Sequence, residues 1–136
     1  MRLLVLSTDP VDAAAVRSAL GEEAKLDRAD VLVVSPALNE SPLAFWVSDS
    51  DEAIDDAESV AQKTATALRR DADRVRTTVG ESEPLLAMQD ALATFPAERI
   101  LIFTRPDDQE RYKEDDVVGE AQRRFGVPVE ERTLGG

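Results

Sequence analysis

Arg99-Ile100-Leu101-Ile102-Phe103-Thr104 is the most apolar short run in the chain. It is too short for a core helix and too uniformly apolar for a half-exposed strand. Such a run suits a strand buried on both faces, near the middle of a parallel sheet. On its amino-terminal side, Pro84 opens a helix whose Leu85, Met88, Leu92 and Phe95 make a buried face. On its carboxyl side, a polar stretch over residues 105–113 leads to a helix over about residues 114–125, with Gly126 as its left-handed stop. Residues 127–134 close the chain as a strand. Pro128 cannot donate to a ladder, which places this strand at an edge or puts Pro128 at its start.

The amino-terminal half repeats the same alternation. Arg2-Leu3-Leu4-Val5-Leu6-Ser7 reads as a second buried strand. Asp9 then caps a helix, with Pro10 in its first position and Asp12 near its positive end. This helix runs through Leu20 and stops at Gly21. Ala29-Asp30-Val31-Leu32-Val33-Val34-Ser35-Pro36 is another buried strand. A loop over residues 39–50 carries Phe45-Trp46, which is expected to pack beneath its own helix. In that helix Ala53, Ile54, Ala57, Val60, Ala61, Ala65 and Leu68 form one apolar stripe. Ser48 or Ser50 caps it, acidic residues crowd its first turns, and Arg69-Arg70 follow its last. Residues 74–79 alternate polar with β-branched side chains, a half-exposed strand suited to an edge and ended by Gly80.

Strict β–α alternation demands right-handed crossovers and a parallel sheet covered on both faces. The expectation is a single-domain α/β fold over residues 1–136: a doubly wound, five-stranded parallel sheet in order 3-2-1-4-5, with two helices on each face. No repeat or low-complexity tract interrupts it.

The chain has 136 residues with 16 Lys+Arg, 28 Asp+Glu, no His and no Cys, for a net charge of −12. Without Cys there is no disulfide framework, thiolate nucleophile or Cys-ligated metal. Without His the commonest general base and every imidazole ligand are missing. The negative charge opposes nucleic acid and anionic membranes, both of which select Lys and Arg. No run approaches the length of a membrane span, and the first residues lack a signal-peptide pattern. A cytoplasmic protein is expected.

Open α/β sheets take ligands beyond the carboxyl ends of their strands, where strand order reverses. The candidates are therefore Ser7, Thr8 and Asp9 after the first strand, Val34 in the second, and Thr104 and Arg105 after the fourth. Asp9, Asp107, Asp108, Asp115 and Asp116 are the oxygen donors that Mg²⁺ would need if they converged, but no Asp-x-Asp or EF-hand spacing is present. No Ser-x-x-Lys, Gly-x-Ser-x-Gly or Walker motif supplies an activated nucleophile or a phosphate loop.

The order of elements resembles the universal stress protein (UspA-like) family. The matching pieces are Leu3-Leu4-Val5-Leu6-Ser7-Thr8-Asp9, Gly80-Glu81-Ser82-Glu83-Pro84, Ile100-Leu101-Ile102-Phe103 and Val127-Pro128-Val129. Nucleotide-binding members carry a glycine-rich run after the fourth strand, whose backbone N–H groups cradle phosphates. Here the matching stretch, residues 104–116, contains no glycine, and the family's Gly-Ser pair falls on Asp115-Asp116. The resemblance therefore implies a degenerate member: a non-catalytic module that acts in stress response through protein association, without ATP or another cofactor. The alternative is a small-molecule or nucleotide binder that uses the crevice near Asp9 and Thr104, with Mg²⁺ as a possible bridge. The resemblance also implies a homodimer through the C-terminal edge strand. Val127, Val129, Glu131, Arg132 and Thr133 would line it, with Glu130 or Glu131 of one chain approaching Arg132 of the other. A further protein partner is left open.

Overall fold

The computed structural model describes residues 1–20, 26–36, 50–70, 72, 74–80, 83–104 and 116–133. Five strands and four described helices alternate: β1 (Arg2–Ser7), α1 (Ala13–Leu20), β2 (Asp30–Pro36), α2 (Ser50–Leu68), β3 (Arg74–Gly80), α3 (Pro84–Thr94), β4 (Arg99–Thr104), α4 (Val117–Phe125) and β5 (Val129–Thr133). A single 3₁₀ turn, Leu26–Arg28, precedes β2. All strand pairs are parallel and the sheet order is β3-β2-β1-β4-β5. This is the expected single-domain, doubly wound α/β fold.

The sheet divides its apolar side chains by strand alternation. Leu3, Val5, Val31, Val33, Leu101 and Phe103 meet α1 and α2 on one face. Leu4, Leu6, Val34, Ile100, Ile102 and Val129 meet α3 and α4 on the other. The three inner strands supply both cores, which is why their sequences are unbroken apolar runs. β3, at the edge, shows the alternate exposure that its sequence announced. No described helix is long and apolar enough to cross a membrane.

Several local expectations need correction. Asp12, not Asp9, caps α1: its Oδ1 accepts the Ala15 amide at 2.8 Å. Ser7 and Thr64 hold the intervening backbone out of helical form, because the Ser7 hydroxyl bonds Asp9 and the Val11 amide donates to Thr64 Oγ1 at 3.1 Å. Pro10 therefore lies in the turn before the helix. The face of α3 is rotated toward its alanines, with Ala87, Met88 and Ala91 buried while Leu85 and Leu92 are half-buried. The cause is a close approach to β3, where Gly80 ends the strand within the ladder and leaves room for Ala87. Pro128 and Val127 precede β5 rather than belong to it. In α2, Ala57, Ala61, Ala65 and Leu68 are buried as expected, and the side chains of Ala53 and Ile54 lie outside the described residues. The stop at Gly21, the loop with Phe45-Trp46 and residues 105–115 also lie outside them.

Candidate functional site

Strand order reverses between β1 and β4, so a ligand crevice belongs beyond their carboxyl ends. Ser7 pairs with Phe103 in the β1–β4 ladder, Thr8 and Asp9 follow it, and Thr104 ends β4. The structure brings these four to one end of the sheet, but the two strand-end hydroxyls diverge. Ser7 continues the Leu3–Val5 row on the α1–α2 face, whereas Thr104 continues the Ile100–Ile102 row on the α3–α4 face.

Each hydroxyl is committed to structure. Ser7 donates to the Asp9 carbonyl and accepts the Asp9 amide at 3.2 Å. Thr104, 1% exposed, donates to Glu131 Oε1 at 3.5 Å. Val34 is fully buried beside Gly80, where its side chain is a packing group. Arg105 lies outside the described residues. Among the described residues no group of three Asp or Glu is placed to hold a metal ion; Asp107, Asp108 and Asp115 fall outside that statement.

Two polar groups escaped the sequence reading. Ser35, 0% exposed, has a hydroxyl without a partner, and so does Thr8. Ser35 stands one step beyond the Leu6–Val34 pair, at the ends of β1 and β2. The available signal was a serine closing an otherwise apolar run. Thr64 was hidden more deeply, as a threonine inside the apolar stripe of α2.

The start of α4 is where an anion would meet backbone N–H groups. Asp116 stands there at φ 48°, ψ 47°, and its carboxylate makes no capping bond. Instead the carboxylate lies over Gly119, where a Cβ would come within 2.5 Å of it, and pairs with Arg123 at 3.1 Å. Arg123 also bonds Glu120 at 2.9 Å, and Arg124 bonds Glu120 at 2.8 Å. These hydrogen bonds, Arg123 first, hold the Glu120 carboxyl below its usual value, and Glu120 and Asp116 together raise the Arg123 guanidinium.

The residues assigned to a C-terminal interface are divided. Val129 is 3% exposed in the core, and Val127 is partly buried against the same cluster. Glu131 is half-buried beside Thr104, while Arg132 and Thr133 are exposed. Arg132 is paired with Glu130 of its own strand at 3.2 Å.

No protein-family model matches this sequence, and no curated protein does. Among solved structures, the chain is similar to the crystal structure of a hypothetical protein, PH0823. The TM-score is 0.58 at 18% identity, over 97% of this chain and 96% of that one. At that identity the likeness shows the fold alone.

Proposed function

We propose that this chain is a non-catalytic universal stress protein-like module, acting in stress response through protein association and without binding ATP. The observation that supports this reading best is Asp116 at the start of α4. A phosphate seated there would meet the Asp116 carboxylate where relatives of the resembled family offer a hydroxyl, with Asp115 in place of the preceding glycine. Each pair of unit charges about 4 Å apart costs about 1 kcal/mol in water, and about 4 at an effective dielectric of about 20. Arg123 does not offset this for a ligand, because Asp116 and Glu120 already engage it. A non-catalytic role draws on the same site: its hydroxyls bond backbone or carboxylate groups or lack a partner, and the chain has no His or Cys.

A small polar molecule is the second reading, favoured by the unpartnered hydroxyls of Thr8 and Ser35. Buried hydroxyls without partners are destabilising, and a ligand's hydrogen-bonding group would relieve them. Denaturing the purified protein and recording the ultraviolet spectrum of the soluble extract tests the first reading against a bound nucleotide. No nucleobase absorbance is expected; stoichiometric adenine would overturn the first reading.

A further inference from the structure

We propose that the outer edge of β3 pairs antiparallel with β3 of a second copy of this chain. The proposal rests on the association reading above and specifies its surface. Among the described residues nothing pairs with that edge. The Arg74 amide donates inward to Ala29 at 3.3 Å. Backbone direction alternates along a strand, so Arg76, Thr78 and Gly80 also face β2. Val75, Thr77 and Val79 therefore present their N–H and C=O groups outward.

A two-fold axis at Thr77 satisfies all three together. Thr77 then bonds Thr77 of the second copy, and Val75 bonds its Val79. Arg76 stands opposite Thr78 and Arg74 opposite Gly80, so no like charges are directly opposed. Threonine pairs and β-branched pairs are favourable cross-strand neighbours. From 74 to 80 the strand has no Pro, Lys or acidic residue, and of its two charges Arg76 is paired with Asp30 at 3.3 Å.

Charge complementarity supports a second copy as the occupant. Arg69, Arg70 and Arg74 are exposed at the amino end of β3, and among the described residues none has an ion-pair partner; with Asp71 and Asp73 between them in the sequence, the stretch 69–74 is net positive by one charge. Glu83 caps α3 just beyond the carboxyl end of β3. Antiparallel pairing sets the arginine end of each copy beside the Glu83 end of the other. The opposite edge fares worse. There the Ile100 amide bonds Pro128 at 3.0 Å, so Val129, Glu131 and Thr133 face outward. An axis at Glu131 opposes two glutamates at its centre, with Glu130 opposite Arg132 on either side, and an axis at Arg132 opposes two arginines.

The absence of native cysteine makes the test direct. Single variants Thr77→Cys and Glu131→Cys of the full chain are oxidised at micromolar concentration, and the covalent dimer is read on a non-reducing gel. Cross-linking through position 77 and not through 131 is expected. Cross-linking through 131 alone would overturn the β3 proposal while leaving self-association intact; no cross-link from either variant, with monomers in sedimentation, would overturn the β3 proposal and leave the association reading to a different protein partner. Thr77→Pro removes an outward N–H without touching the β2 ladder, and it should convert a sedimenting dimer to monomer with an unchanged circular dichroism spectrum. Should that variant fail to fold, the cross-link decides alone.

Discussion

A methyl group at position 80 would lie 2.8 Å from the Ala87 Cβ and 3.1 Å from Val34 Cγ1. Neither neighbour has a free end to swing away, so the helix must shift. Gly80→Ala is expected to cost about 1–3 kcal/mol by overpacking, read as a lower urea midpoint. Position 119 is the opposite case. Its nearest atoms belong to the Asp116 carboxylate, which can rotate off the helix. Gly119→Ala should be neutral or stabilise by up to about 1 kcal/mol, since alanine propagates a helix better than glycine. Ser35 presents a third kind of residue-scale test. Removing a buried hydroxyl that has no partner should raise stability, and Ser35→Ala is expected to gain about 1 kcal/mol. A loss instead would show that something bonds that hydroxyl. Ser35 closing an apolar run signalled its burial, but the bonding state of Ser35 and Thr64 was not legible, because strand and helix patterns report burial, not the partner of a polar atom.

Among the elements, α4 binds its own ends together through Asp116, Glu120, Arg123 and Arg124. Glu120 is held below its ordinary value, so its contribution is present above the usual carboxylate range. It is lost as pH falls through the lowered value. Glu120→Gln should therefore lower the urea midpoint at neutral pH, with the difference from the parent closing in acid. Salt should shrink the difference, because these groups are exposed. Strand positions were legible because each inner strand is an apolar run fitting a doubly covered sheet, and residues 74–79 announced an edge. Helix starts were less legible. Asp9 and Asp12 are equally good caps by residue type, and only the bonds from Ser7 and Thr64 decide between them. The face of α3 depended on a tertiary contact at Gly80, which no periodicity within residues 84–94 encodes.

Across the whole molecule, parallel strands with antiparallel helices put every helix amino terminus at one pole. Each such terminus favours acidic residues, so Asp12, Glu83 and Asp116 gather where a ligand would enter. A net charge of −12 adds a repulsive background. Raising salt from low to near-molar concentration should raise the thermal midpoint, by screening that repulsion. The crevice end of the sheet was legible from topology alone, whereas the divergence of Ser7 and Thr104 required the strand register. The same polarity bears on the central claim, that this module does not take ATP. Isothermal titration of the full chain with ATP and Mg²⁺ tests it most directly. No saturable heat at micromolar concentration is the result expected here; a tight, saturable isotherm with one nucleotide per chain would contradict it.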